Sequence, residues 1–438
     1  MKMKKIQSIY GTLALVCLLL SGANAQSPKG KYGVFALTNA AIETVTKGTI
    51  ANGTVIITNG KITAVGANIQ VPAGAEVINC TGMKIYPGLI DTGTKVGLLE
   101  IGQIPQASDE RENGDVIPQM RSLTAVNPNA SAIPVTRISG VTTALTYPEG
   151  GLFPGTAALI NLHGYTPDQM FAGFEGVVLN FPNTGRRGFG DRRTEEELKK
   201  ASEKAVAQLN DVWSKAVQYH KLDSATKGKG VSYYPELQAL MPVVRGERAL
   251  LIEVNAQKDI QAALKWVAEK KVKRVIFTGV SEGWREAENI AKAGIPVLAG
   301  PVIAIPNREY DRYDAQYANP GLLKKAGVKV AIRSNEDGNG NYRNLPYHAG
   351  FATAYGMDKM EALKAITIVP AEILGVSAQL GSIEVGKSAT LFVCDGDIFE
   401  TKTQVSNVFI DGWKMPMQSR QTLLYEEFLK REPGLSKQ

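Results

Sequence analysis

Short apolar runs separated by turn residues set the first pattern along the chain. From Thr49 to Ile78, β-rich segments alternate with turn pairs, most clearly Thr54 to Thr58, then Asn59-Gly60, then Lys61 to Val65. Both turn residues tolerate positive φ, so this stretch predicts a hairpin. Between Tyr86 and Gly375 the pattern becomes apolar strands alternating with amphipathic helices, as in Ala249 to Val254, Asp259 to Lys270 and Arg274 to Thr278. Such alternation predicts βα units and a parallel sheet or barrel. Thr194 with Glu197, and Asp358 with Glu361, have capping-box spacing and mark two helix starts, with both helices outside the sheet. The stripe Ile260, Leu264, Val267 reads as a helix face turned to the core. After Gly375 strand character returns in Ala389 to Cys394 and Val405 to Ile410, the second run ending at the turn Asp411-Gly412. The β-rich flanks are therefore expected to join as one β-domain, with the α/β region inserted between its halves.

With 438 residues, 44% hydrophobic and 21% charged, the chain is too apolar for disorder and lacks the composition of collagen or a coiled coil. Its first 25 residues combine basic Met1 to Lys5, an apolar stretch around Leu13 to Leu20, and the small-residue triplet Ala23, Asn24, Ala25. That order predicts a secretory signal peptide cleaved near Ala25, leaving a periplasmic or secreted chain of 413 residues. No apolar run approaches the roughly 20 residues a transmembrane helix needs, so no transmembrane anchor is expected. The net charge of +7 falls to +4 once Lys2, Lys4 and Lys5 are removed, and no basic module accompanies it, which argues against a nucleic-acid partner. Cys80 and Cys394 remain in the mature chain, either as a disulfide or as two separately buried thiols. Pro182 to Arg193 reads as a loop; its Arg186, Arg187, Arg192 and Arg193 are either solvated or turned to an anionic ligand.

The run Ile85-Tyr-Pro-Gly-Leu-Ile-Asp91 resembles the segment entering the first barrel strand of the amidohydrolase superfamily, its imidazolonepropionase-like branch in particular. Arg137 to Thr143, Pro370 to Gly375 and Gly381 to Lys387 resemble further segments of that family in the same order, although Thr390 stands where an Asp is usual. The resemblance implies a (β/α)8 TIM-like barrel inserted in a composite β-sandwich, with the site at the carboxyl ends of the strands. Expected boundaries are 26–86 plus 376–416 for the sandwich, 87–375 for the barrel and 417–438 for a C-terminal tail.

The family's chemistry rests on divalent metal held by a His-x-His pair on strand one, histidines on strands five and six, and an Asp on strand eight. Imidazole and carboxylate ligands bind Zn²⁺ and bring bound water to a pKa of about 7, so that hydroxide attacks a carbonyl. In this sequence the matching positions are Gly93, Lys95, Asn255, Thr278 and Asn335. Gly93 has no side chain, Lys95 is a cation, Asn255 and Thr278 are weak oxygen ligands, and Asn335 cannot take a proton as Asp does. Only three histidines exist: His220, read as a surface residue ending the Thr194 helix, and His163 and His348, for which local structural roles are preferred to an approach to the barrel mouth.

Acidic residues expected near the mouth are Glu100, Glu253, Glu282, Glu336 and Asp337, a set that suits Mg²⁺ or Ca²⁺ better than Zn²⁺. Lys95 either pairs with Glu253 in the metal's place or points elsewhere. Two functions follow. The first is an exported amidohydrolase-like protein without metal-dependent catalysis, kept as a ligand-binding subunit or as the partner of an active homologue or of its own copies, with no cofactor. The alternative is an active hydrolase of non-peptide C–N bonds such as cyclic amides, with a divalent metal or an atypical site drawn from Lys95, Glu253, Asn335 and Asp337.

Overall fold

The computed structural model describes residues 30–100, 104, 108–185, 192–306, 308, 310–334 and 341–431. Two sheets organise them. The first comprises β1 (Lys31–Tyr32), β2 (Phe35–Glu43), β3 (Thr49–Thr58), β4 (Lys61–Gly66), β5 (Glu76–Asn79) and β6 (Lys84–Pro87). The second runs through eight strands: β7 (Leu89–Thr94), β8 (Val141–Thr146), β9 (Gly155–Asn161), β10 (Phe171–Asn180), β11 (Ala249–Val254), β12 (Val275–Gly279), β13 (Val297–Ala299) and β14 (Val330–Ile332). The chain then returns to the first sheet as β15 (Leu391–Cys394), β16 (Val405–Ile410) and β17 (Trp413–Lys414), and β15 pairs antiparallel with β6. A TIM-like barrel beside a separate sheet made from both flanks is thus the architecture the sequence implied.

The predicted hairpin is β3–β4, with Asn59 and Gly60 both at positive φ, and Asp411-Gly412 turns β16 into β17 the same way. Helix α1 (Glu195–Thr226) starts in the full Thr194–Glu197 capping box, and α2 (Gln257–Lys270) follows β11. The Asp358 carboxylate accepts from the Met360 and Glu361 amides at the start of α4 (Lys359–Ala365), which follows α3 (Leu345–Ala354). Ile260, Ala263 and Trp266 of α2 and Leu209, Trp213 and Ala216 of α1 pack on the outward faces of β10 to β12, with Leu264 and Val267 partly buried beside them. At about 1.5–3 kcal/mol per large apolar side chain, this layer fixes the helices to the sheet.

Three details differ from expectation. Strand β9 runs antiparallel to both neighbours, so the barrel has seven strands in one direction and one reversed. The connections 147–154 and 162–170 explain it, because a parallel crossover needs a dozen or more residues. His220 does not end its helix: α1 continues to Thr226, and His220 Nδ1 lies 3.4 Å from Ser224 Oγ. Arg420–Leu429 forms helix α5, begun by a Ser419–Thr422 capping box. Cys80 and Cys394 are both free and buried. Among the described residues no helix is long and apolar enough to cross a membrane.

Candidate functional site at the barrel mouth

Side chains alternate across a strand, so every second residue points into the barrel. The interior core contains Leu145, Val178, Leu251, Ile276, Leu298 and Ala331. Two residues further along the same face stand Tyr147, Asn180, Glu253, Thr278 and Arg333, at the carboxyl ends of the strands. The ladder carries two of them past their strands: Tyr147 N donates to Thr94 O at 2.9 Å, and Arg333 N to Ala299 O at 2.9 Å.

Arg333 dominates this layer. Its side chain is only 2% exposed, and its Nη2 donates to Glu253 Oε1 at 2.9 Å. Glu253 also accepts from Thr278 Oγ1 at 2.6 Å and from Asn255 Nδ2 at 3.0 Å. Burial pushes the Glu253 pKa up, but the Arg333 charge and the three hydrogen bonds outweigh it and hold the carboxyl below its ordinary value. Glu253 in turn keeps Arg333 firmly protonated despite its burial.

The cation on Glu253 is therefore Arg333, and the proposed Lys95–Glu253 pair does not form. Lys95 pairs instead with Glu149, which also accepts from Arg111 Nη2 at 3.0 Å. The structure also gives a reason for Gly93. A Cβ at this position would lie 2.4 Å from Arg333 Cδ, so the arginine occupies the space a side chain at 93 would need. Gly279 is similarly confined, at φ +82° with Glu253 and Asn255 each 2.4 Å from a hypothetical Cβ.

Asp91 lies beside this group, fully buried. Its carboxylate accepts from Gly93 N (3.1 Å), Ser334 N (3.1 Å) and Ser334 Oγ (2.5 Å), tying the first barrel strand to the end of the eighth. Burial raises its pKa to about 6 against the pull of those hydrogen bonds. Tyr147 completes the wall: its hydroxyl is buried beside Arg333 and makes no hydrogen bond of regular geometry, and burial pushes its pKa up.

An inner cavity of about 260 Å³ is lined by Gly93, Lys95, Tyr147, Asn180, Glu253 and Arg333 among others. Through Glu149, Asn180 and Glu253 it adjoins an outer cleft of about 490 Å³, where Arg111, Asn183, Arg193 and Asn255 contribute. Arg193 of the predicted loop thus faces the cleft, Arg192 is exposed, and Arg186 and Arg187 lie outside the described residues, as do Asn335, Glu336 and Asp337. The other acidic candidates are dispersed. Glu100 accepts from Asn127, whereas Glu282 accepts from Gln257 N and Arg308 Nη2, both at 2.8 Å.

The histidines stand apart from one another. His348 is fully buried on α3, its Nδ1 accepting from the Val302 and Ile303 amides at 3.1 and 3.2 Å. His163 follows reversed β9 to the opposite end of the barrel, where its ring lies 5.3 Å from that of Trp413. Among the described residues no three His, Cys, Asp or Glu side chains converge as a metal cluster. Among the described residues the donor set at the family's metal positions does not fit a divalent ion: Asn255 and Thr278 offer an amide and a hydroxyl, and the carboxylate beside them, Glu253, is already bonded to a guanidinium. Arg333 and Tyr147 went unnoticed in the sequence, although counting two residues inward from Ala331 and Leu145 places both on the interior face.

Comparison with known proteins agrees with this architecture. An imidazolonepropionase from Mesorhizobium japonicum is 26% identical over 405 residues, covering 86% of this chain and 94% of its own length. One from Symbiobacterium thermophilum is 22% identical over 379 residues, covering 78% and 84%. The crystal structure of an amidohydrolase from Thermotoga maritima superposes with a TM-score of 0.76 at 24% identity, covering 88% of this chain and all of the other. The sequence model of the amidohydrolase family matches residues 139–414, well over half of the chain, and the chain belongs to that family.

Proposed function

We propose that this protein is an exported amidohydrolase-family member that binds a small molecule at its barrel mouth without metal-dependent hydrolysis. The observation that carries the reading is the Arg333–Glu253 pair: the arginine side chain fills the space beside Gly93, and the carboxylate next to the metal positions Asn255 and Thr278 is committed to its guanidinium. Such a pair keeps the interior charge-compensated without an ion. The order of basic, apolar and small residues in Met1 to Ala25 supports export. A role as partner of an active homologue, or of its own copies, is compatible with the same site.

The alternative, an active hydrolase of non-peptide C–N bonds such as cyclic amides, draws support from the likeness to imidazolonepropionases along most of the chain. Elemental analysis separates the two, on mature protein purified without chelator and dialysed after exposure to Zn²⁺, Mn²⁺ or Mg²⁺. The binding reading expects less than about 0.1 tightly held ion per chain. About one or two ions per chain, lost on Glu253→Gln and accompanied by amide hydrolysis, would overturn it. Intact mass of the exported chain tests the other half, with an N-terminus at Gln26 expected.

A further inference from the structure

We infer that the amino-terminal face of the barrel docks on an anionic lipid surface, with the mouth turned away from it. This goes beyond the reading of the mouth and does not depend on it.

The parallel register of β11 to β14 brings the four segments that enter these strands to one end of the barrel: 245–248, 270–274, 292–296 and 324–329. The last turn of α1 and its following loop, 220–234, reach the same face, since Asp223 and His220 lie close enough to act electrostatically on Arg245 and Glu247. Together the five segments carry thirteen Lys and Arg against two acids, Asp223 and Glu247. Three carboxylates reach in from neighbouring segments, Glu175 to Arg248 (2.9 Å), Glu361 to Lys324 (2.6 Å) and Glu372 to Lys329 (2.9 Å). Thirteen cations against five acids leave a surplus of eight, twice the +4 of the whole mature chain, so the remainder of the molecule is net negative. No run of the sequence discloses this, because no segment holds more than four of the charges.

Helix dipoles do not account for the surplus. A cation offsets a dipole only within the last turn, whereas Lys229, Lys273 and Lys329 lie three or four residues past their helix ends. Among the described residues Lys270, Lys271, Lys292 and Lys325 pair with no carboxylate, and the last three are exposed.

The chemistry of the uncommitted groups selects the partner. The arginines of the face are held, Arg245 by Glu247, Arg248 by Glu175 and Arg274 on the Glu247 carbonyl. What is left are lysines, flexible point charges suited to a diffuse negative surface rather than to bidentate recognition of single phosphates. An anionic bilayer strengthens binding about fivefold for each such charge brought within a Debye length of about 10 Å. Beside Lys227 and Lys229 the same loop exposes Tyr233 and Tyr234, at 73% and 50%, and tyrosine rings settle at the headgroup level of a bilayer.

Co-sedimentation of the mature chain with lipid vesicles tests this. Vesicles of phosphatidylcholine with about 30% phosphatidylglycerol are expected to bind at least about tenfold more tightly than phosphatidylcholine alone, and raising NaCl from about 0.05 M to about 0.5 M is expected to release the protein. Lys270→Gln, Lys271→Gln, Lys292→Gln and Lys325→Gln combined should weaken binding at least about tenfold. A control combining Lys199→Gln, Lys200→Gln, Lys204→Gln and Lys430→Gln has the same net charge with this face intact, and should bind within about twofold of the native chain. Tyr233→Ser should weaken vesicle binding at least about threefold and leave retention on heparin unchanged, which separates a bilayer from a soluble polyanion. No preference for phosphatidylglycerol, an equal loss in the control, vesicle binding indifferent to Tyr233→Ser, or retention on heparin without vesicle binding would overturn the inference.

Discussion

Removing the charge of Glu253 while keeping its shape should expose how much the barrel interior depends on the pair it forms. In Glu253→Gln the amide oxygen still accepts from Arg333 and Asn255 and the amide nitrogen takes the place of the oxygen that Thr278 bonded, but Arg333, among the largest fully buried side chains of the described residues, loses its counter-charge. Breaking a buried pair from one side typically costs about 3–5 kcal/mol. Because the Glu253 side chain keeps 28% of its exposure, the lower end applies, about 3 kcal/mol. Arg333→Met should cost a similar amount, and the double variant should recover most of the loss, since replacing both partners leaves no buried charge unmatched. Urea unfolding followed by tryptophan fluorescence at pH 7 measures all four proteins. The sign of the pH effect is also fixed. The Glu253 pKa is depressed in the fold, so its stabilisation is present above the ordinary value of 4.5 and disappears as pH falls through the lower folded value. The gap between native protein and Glu253→Gln should therefore close on acidification. If Glu253→Gln matches the native protein within about 0.5 kcal/mol, or the two single losses simply add, the pair does not organise this interior.

Three further outcomes follow from the same geometry. Gly93→Ala places a methyl 2.4 Å from Arg333 Cδ and should lower stability by about 1–3 kcal/mol in urea unfolding, a loss that falls below about 1 kcal/mol in an Arg333→Ala background. Asp91 has a folded pKa raised from 3.8 to about 6, so its contribution is full below pH 3.8 and is lost as pH rises through 6; relative to Asp91→Asn, the native protein should lose about 3 kcal/mol across that window. Burial pushes the Cys80 and Cys394 thiols up to about 11 and about 12, so a thiol reagent at neutral pH should find neither in the folded mature chain and two after denaturation; none after denaturation would mean a disulfide.

The barrel was legible because its strands are buried on both faces and read as continuous apolar runs, as in the Val275 to Thr278 segment. The capping boxes and the Asn59-Gly60 and Asp411-Gly412 turns were legible because each is decided by residues within four positions of one another. Arg333 was not, for the complementary reason: its partner Glu253 is 80 residues away, and spacing within one strand says nothing of reach across a barrel. Lys95 lay in a family metal position and so drew attention, yet two carboxylates competed for it and the nearer proved to be Glu149. The reversal of β9 left a readable trace in its two short connections. The helix Arg420–Leu429 left a weaker one, since its apolar residues are exposed and its cap pairs Ser419 with a Thr at the third position, where Glu or Gln is usual.

That reversed strand changes how the mouth is able to vary. In a barrel of parallel strands, the chain leaving β8 would descend along the outside as a helix. Here it turns straight back, so residues 147–154 form a hairpin loop drawn over the cavity, with Asn180 Nδ2 donating to Gly150 O and Gly151 O and the Asp115 carbonyl accepting from Leu152 N and Phe153 N. A hairpin loop has only to join two neighbouring strands, and its length is free to drift without shifting the register of the other six. Tyr147 and Glu149 stand on this loop, while Arg333 and Glu253 are fixed at strand ends. Related chains with insertions between positions 150 and 152 would thus be expected to reshape what enters the mouth while keeping the charged floor beneath it intact.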